Sequence, residues 1–358
     1  MTRRTPDVAI VGGGIIGMAT ALACVGRGLS VVICGEALPG AASAAAAGML
    51  SPSTESAAPN AHAFAVACRD SWPAYLAELA TKSRTPVDLN RLGILEVAVD
   101  ATDAARTQRG CTGDSCWLDA KEVMALEPAL HAPCGAAHHR RDGAVDNEQL
   151  LIALDEAIAT SASITWRPAA RRLELAVDTG TLVLADRSHV RAHRVVLAAG
   201  AWVNQLAGLP RPLPVTPVRG QMIGYRGAPL RHAVIGHGAY LVPRPGGRTI
   251  VGATSETVGF DAGTTAEAAA GLAAAAARIV PAIERLTLAE HWSGLRPMTR
   301  DLLPIIGPDP DHPVLLYGCG HSRNGVLMTP LTALCLAALA TGDPSPWPLA
   351  PFSVTRFS

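Results

Sequence analysis

Three glycines at fixed spacing, Gly12-x-Gly14-x-x-Gly17, form the chain's first chemically suggestive pattern. The first permits a tight turn, the second lets a pyrophosphate approach the backbone, and the third lets a helix pack close to a strand. A helix opening here aims unpaired N–H groups and its positive dipole end at the phosphates. The ribose of such a ligand usually meets an acidic residue at the end of the next strand. That strand ends Ile33-Cys34-Gly35-Glu36, with Gly35 in the acid's slot and Glu36 one position later. Three readings stand for Glu36: a ribose contact, replacement of that contact by backbone, or a solvated surface carboxylate.

Two arginines stand beside backbone-permissive residues, Arg296 in Gly294-Leu295-Arg296-Pro297 and Arg323 in His321-Ser322-Arg323-Asn324-Gly325. A planar guanidinium binds a carboxylate through two parallel charge-assisted bonds, fixing orientation as well as affinity. The alternatives are a surface arginine at 296 and a salt-bridged helix-capping loop at 323. Tyr240, one of four tyrosines, precedes Leu241-Val242-Pro243 on an expected strand, and its hydroxyl can donate to the same carboxylate. Its alternative is a half-buried strand aromatic. Ser255 is either pocket-lining or a plain strand-end serine. No GxSxG, HExxH or P-loop pattern competes. The eight cysteines include no CxxC pair and no Cys/His cluster with zinc spacing, so free thiols in a reducing cytosol are expected and no metal. His62, His131, His138 and His139 show no ligand spacing and read as surface residues.

These residues need elements to hold them. Val8-Ala9-Ile10-Val11 has strand length, Ile15 to Gly26 is helical, and Leu29–Cys34 is a second apolar run. Strand, glycine turn, helix and strand make a βαβ unit of about 30 residues. A fully apolar strand implies burial on both faces, as in a parallel sheet. Helices are expected over Ala61–Ala80, Asp146–Thr160, Ala266–Leu286 and Gly325–Ala340, with a capped helix and turn over Leu118–Leu130 started by Asp119. Strands are expected over Gly93–Val99, Arg172–Val177, Leu182–Ala185, Arg194–Ala198 and Val314–Tyr317. Antiparallel strands separated by glycine turns are expected over Val215–Tyr225, Ala239–Pro243 and Arg248–Ala253. Pro39–Pro52 reads as a loop of small residues.

The chain has 358 residues, 49% hydrophobic and 17% charged, enough for a large core and too apolar for disorder. Acidic and basic residues balance at 30 each, with no basic run, and aromatics make up 4%, which argues against nucleic-acid binding. Arg3-Arg4 before the apolar stretch Val8–Val25 admits a twin-arginine or secretory signal, but the glycine turn accounts better for that stretch. Elsewhere the longest apolar run, Leu331–Ala340, is well short of the ~20 residues that span a membrane, so no membrane partner is expected.

Further blocks run through the chain: Pro39-Gly40-Ala41-Ala42-Ser43-Ala44-Ala45-Ala46-Ala47-Gly48-Met49-Leu50, Asp142-Gly143-Ala144-Val145-Asp146, Ala198-Ala199-Gly200-Ala201-Trp202 and Pro217-Val218-Arg219-Gly220-Gln221-Met222. Tyr240-Leu241-Val242-Pro243-Arg244, Val251-Gly252-Ala253-Thr254 and the two arginine motifs complete them. In order and spacing these blocks resemble D-amino-acid-oxidase-type flavoproteins, most of all glycine oxidase of the thiamine-biosynthetic type, across nearly the whole chain. The resemblance implies non-covalently bound FAD, a mixed α/β fold, and oxidation of glycine or a similar small amine or amino acid by oxygen. A thiamine-biosynthetic role, a cytoplasmic location and a homo-oligomer are further implications.

The resemblance also implies a Rossmann-like FAD-binding domain with a parallel sheet over 1–85, 140–214 and 290–358. A substrate domain on an antiparallel sheet would occupy 86–139 and 215–289. The implied cofactor contacts are Gly12, Gly14, Ile15, Ile16, Gly17, Gly35, Glu36, Ala42, Ser43, Ala47, Gly48, Met49, Ala169 and Gly200. The run His321, Ser322, Arg323, Asn324, Gly325, Val326 and Leu327 completes them. Met49 also fits ordinary core packing, and Cys319 does not match the position of a flavin-tethering cysteine. Arg296 is implied as the main carboxylate anchor, with Tyr240, Arg323 and Ser255 completing the catalytic pocket. Three positions depart from the pattern: Ser322 replaces an aromatic, Ala44 a bulky residue, and Gly238 a histidine found in one glycine oxidase type. An amine dehydrogenase subunit passing electrons to a quinone or partner remains an alternative reading. A non-catalytic flavoprotein is disfavoured by the presence of both Arg296 and Arg323.

Overall fold

A computed structural model describes residues 5–54, 59–131 and 134–357, so Arg3 and Arg4 lie outside the described residues. The apolar strand Val8–Val11 is buried at every position and takes the centre of a six-stranded sheet. Its neighbours are Val31–Cys34 on one side and Arg194–Leu197 on the other, both parallel. Ile164–Arg167 and Leu315–Cys319 extend the sheet in parallel, and Ile305–Pro308 closes it antiparallel. Helices Ile15–Val25, Pro59–Leu79, Asn147–Ala159 and Gly325–Thr341 cover one face around Phe64, Trp72 and Leu150. The other face packs on an antiparallel three-stranded sheet, Ala170–Leu175, Gly180–Leu184 and His189–Ala192. This is the mixed α/β, Rossmann-like arrangement expected from the glycine turn.

The second layer is an eight-stranded sheet. Its order is Thr287–Thr299, Val215–Arg226, Arg248–Gly252, Ala239–Arg244, Ala233–Gly236, Ile94–Val97, Ala136–His139 and Ser115–Leu118. All pairings are antiparallel except that of Ala233–Gly236 with Ile94–Val97. One face buries Leu95, Ile223 and Leu241 under the helix Ala266–Ile279. The opposite face turns toward the parallel sheet.

Several local expectations hold within a residue or two. Asp119 and Glu122 form a capping box at Ala120–Leu126, and Asp146 caps Asn147–Ala159. The helix expected to reach Leu286 ends at Ile279 and continues as a 3₁₀ turn. Pro39–Pro52 is not wholly loop: it contains a helical turn, Ala42–Ala45, and the short strand Met49–Leu50. The strand Thr287–Thr299 has no counterpart in the sequence reading, and a boundary at 289/290 falls inside it. Its whole length pairs with Val215–Arg226, so this strand belongs to the eight-stranded sheet.

The layers are tied together at Arg244. Its guanidinium is buried and donates to the carbonyls of Ala47 and Val145 and to Asn147 Oδ1, all at 2.8–2.9 Å. Asn147 Nδ2 in turn donates to the carbonyl of Ser43 at 3.0 Å. The segment Ser43–Gly48 is thus held from below by one cation and one amide. Arg244→Met leaves these buried acceptors without donors, and each such loss costs about 1–3 kcal/mol. Urea unfolding of the variant should show a stability loss of at least about 2 kcal/mol; an unchanged midpoint contradicts the tie.

Candidate active site

The dinucleotide end is built as its spacing requires. Gly12 has φ +110°, and a Cβ there would lie 2.3 Å from the carbonyl oxygen of Ala198. Gly14 caps the helix Ile15–Val25, and Ser43 Oγ accepts from the N–H of Ile15 at 3.1 Å. Cys34 and Gly35 close one side, where Glu36 pairs with Arg171 at 3.0 Å on the rim. Glu36 is therefore ion-paired while still lining the opening.

From this turn a cavity of about 530 Å³ runs between the two main sheets. It is lined by Ala42, Ser43, Ala47, Gly48 and Met49 on one wall, by Ala169 and Gly200, and by His321–Val326. Among the expected cofactor contacts, Gly17 and Leu327 do not line it. Gly17 packs inward, where a Cβ would meet the Gly12 carbonyl oxygen at 2.0 Å, so it sets how closely helix and strand approach. Leu327 is buried away from the cavity, and its carbonyl accepts from Trp72 Nε1 at 3.1 Å. The shape suits an extended dinucleotide: side-chain-free backbone at the pyrophosphate end and a wider chamber between the sheets.

Arg296, Tyr240, Arg323 and Ser255 all line the chamber. Arg296 is half-buried on Thr287–Thr299, and its Nη1 donates to the carbonyl of Thr254 at 3.0 Å. Gly220 leaves the space its guanidinium occupies; a Cβ there would come within 2.2 Å of both Nη atoms. Tyr240 sits opposite Gly252 in register, with its hydroxyl 3.7 Å from Met222 Sδ. Burial raises the Tyr240 phenol above its usual range, with the charges of Arg296 and Arg323 pulling against it. Arg323 and Ser255 are exposed at the mouth.

A polar lattice lies behind Arg296. Gln221 N donates to Thr254 Oγ1 at 2.8 Å, and Gln221 Nε2 to Glu256 Oε1 at 2.8 Å. Thr254 Oγ1 also hydrogen-bonds Glu256, and buried Arg219 bridges Glu256 and Asp261. The carbonyl that positions Arg296 is thereby fixed on several sides. The blocks containing Arg219, Gln221 and Thr254 stand out in the sequence, but their support of Arg296 depends on a strand pairing the sequence does not reveal.

The mouth helix Gly325–Thr341 begins at Asn324 with no side-chain cap, leaving first-turn N–H groups toward the chamber. Ser322 adopts φ +52°, and its hydroxyl turns to Thr299 Oγ1 at 3.3 Å. Cys319 lines the cavity, and burial pushes its thiol up to about 12. Glu96 and Ile235 are among the lining residues that the sequence reading does not single out. His139, expected at the surface, is buried, and its ring bridges Ser115 Oγ at 2.7 Å and Glu96 Oε2 at 3.3 Å. All eight cysteines are free. No group of side chains among the described residues has the arrangement to hold a metal, and no described helix is long and apolar enough to cross a membrane.

A glycine-turned helix N-terminus, a long inter-sheet cavity and cationic groups at its wide end define a dinucleotide-dependent oxidoreductase. Residues 7–339 match the model of the FAD dependent oxidoreductase family, and the chain belongs to that family, whose cofactor is FAD. The chain is 35% identical to glycine oxidase of Geobacillus kaustophilus, with 99% of this chain and 98% of that protein covered. The crystal structure of glycine oxidase from that organism superposes with a TM-score of 0.92 at 33% identity, covering 98% of this chain and 99% of that one. The chain is 34% identical to the bifunctional protein ThiO/ThiG of Synechocystis sp., covering 99% of this chain and 54% of that protein. It is 30% identical to the hydrogen cyanide synthase subunit HcnC of Pseudomonas aeruginosa, covering 99% and 97%.

His321 gives the site a pH dependence. Its ring is buried, with Nε2 3.2 Å from Thr332 Oγ1, and burial lowers its pKa to about 3. Above pH ~6.5 the ring is neutral whether the chain is folded or unfolded. Below that, the unfolded chain takes up a proton that the folded chain refuses, so stability falls as pH drops toward 3, by up to about 1.4 kcal/mol per pH unit. Melting curves of wild type and His321→Gln from pH 7 to 5 should show the wild type losing more stability. Parallel curves contradict the assignment.

Proposed function

We propose that this chain oxidises glycine or a similarly small amine or amino acid to its imine. Water then hydrolyses the imine to the 2-oxo acid and ammonia, and oxygen takes the two electrons and two protons to give hydrogen peroxide. The observation carrying this reading is the guanidinium of Arg296 inside the chamber, backed by Thr254 and beside Tyr240.

FAD supplies the two-electron chemistry when bound. Gly12, Gly14 and the start of Ile15–Val25 would hold its pyrophosphate. Gly48, Met49 and the start of Gly325–Thr341 would flank its ring. Arg296 grips the substrate carboxylate through charge-assisted bonds, and the Tyr240 hydroxyl donates to the same group. Two fixed points on the carboxylate leave the α-carbon directed into the chamber, a positioning contribution. Arg323 and the first-turn N–H groups place positive potential where negative charge grows. Ser255 keeps the mouth small and polar. This reading carries with it a substrate-binding layer distinct from the FAD-binding layer, a cytoplasmic location and assembly as a homo-oligomer. Delivery of the imine to thiazole assembly in thiamine biosynthesis also belongs to it.

The likeness to HcnC supports a second reading, in which a quinone or protein partner accepts the electrons. Turnover with an artificial acceptor but none with oxygen would favour it.

Arg296→Ala should lose roughly 1.5–3 kcal/mol of carboxylate pairing, about ten- to hundred-fold in apparent affinity. Flavin content should stay near that of wild type, because Arg296 stands at the substrate end. Steady-state kinetics with glycine and the 450 nm absorbance of the purified variant check both; unaltered kinetics would show the anchor to be misassigned.

A further inference from the structure

The chamber carries a carboxylate on the same sheet as its carboxylate anchor. Glu96 lies on Ile94–Val97 and lines the cavity. In register, Glu96 stands opposite Ile235, and Ile235 opposite Tyr240. Residues paired across strands project to the same face, so the three form one row, and all three line the chamber. With strands about 4.8 Å apart, Glu96 is two steps, or about 10 Å, from Tyr240 along the sheet.

Glu96 is held in place. His139 is buried and approaches Glu96 Oε2 through Nε2 at 3.3 Å, while its Nδ1 meets Ser115 Oγ at 2.7 Å. With Ser115 donating to Nδ1, the Nε2 proton points at the carboxylate. A carboxylate offers about four acceptor positions, and the side chain remains 30% exposed, so capacity is left toward the chamber. Arg106, whose charge interacts with Glu96, is itself hydrogen-bonded to Asp103. Nothing bulky stands at Gly238, where an added Cβ would meet no atom within 4 Å.

We propose that Glu96 is a second subsite, so that the chamber favours acids carrying a distal cation. The substrate class is then a diamino or guanidino acid, or a glycine whose nitrogen bears an aminoalkyl arm. This rests on the oxidase reading for the chemistry and adds the selectivity.

The test uses the FAD-loaded protein and two acids without an oxidisable α-amine, 5-aminopentanoate and pentanoate, titrated by the change in the visible flavin spectrum. The aminated acid should bind about tenfold more tightly. Glu96→Gln should abolish that ratio, and Glu96→Arg should bind glutarate more tightly than pentanoate. Anaerobic flavin reduction by D- and L-ornithine, and by N-(2-aminoethyl)glycine, against norvaline and sarcosine then distinguishes a side-chain cation from an N-linked one. Equal binding of the two acids by wild type, or a preference that survives Glu96→Gln, overturns the subsite. If glycine reduces the flavin yet no preference exists, the subsite fails and the oxidase reading stands. If the preference holds but no amine reduces the flavin, the oxidase reading fails and the subsite stands.

Discussion

Arg296 donates to the carbonyl of Thr254 at 3.0 Å, and in the proposed reading that contact sets where a substrate carboxylate binds in the chamber. A long arginine side chain carries about 2 kcal/mol of rotamer entropy, so an unbraced guanidinium would be a poor orienting group. Here the brace is itself braced. Thr254 is clamped by Gln221 and Glu256, and Glu256 by Arg219. Gly220 supplies the space beneath the guanidinium. The pairing of Thr287–Thr299 with Val215–Arg226 brings these groups together, with Val218 opposite Arg296 in register.

The rest of the architecture serves that geometry from the other side. The parallel sheet and its four helices present a helix N-terminus and a glycine turn at one end of the cavity. Arg244 reaches from the eight-stranded sheet to hold Ser43–Gly48 in the opposite layer. The cofactor wall and the substrate wall are therefore linked by buried hydrogen bonds as well as by apolar packing. The two walls are thereby held in one fixed geometry, which suits a reaction needing the α-carbon placed accurately.

Much of this was legible in the sequence because it depends on local rules. The glycine spacing predicts a turn that only backbone can fill, and the fully apolar strands predict a parallel sheet. Caps at Asp119 and Asp146 mark helix starts by side-chain chemistry alone. The strand bearing Arg296 was hidden for physical reasons. Its first half is exposed, its second half is largely buried, and Gly294 and Pro297 read as breakers, so no single periodicity runs through it. Leu327 follows cavity-lining Val326, but one helical step of about 100° turns it away from the cavity. Glu96 alternates with Leu95 as in any half-buried strand, and sequence cannot tell that its polar side faces a chamber rather than water. His139 was hidden similarly, since the burial of a short Ala-Ala-His-His strand is decided by partners far along the chain.

The central claim is that Arg296 orients a small acid toward the flavin ring, and a crystal structure of the FAD-loaded protein with acetate, glycine without its amine, tests it most directly. The account predicts both acetate oxygens within about 2.7–3.2 Å of the Arg296 guanidinium, with the methyl carbon directed to the ring. Acetate bound elsewhere in the chamber, with Arg296 engaged only by Thr254, would contradict it.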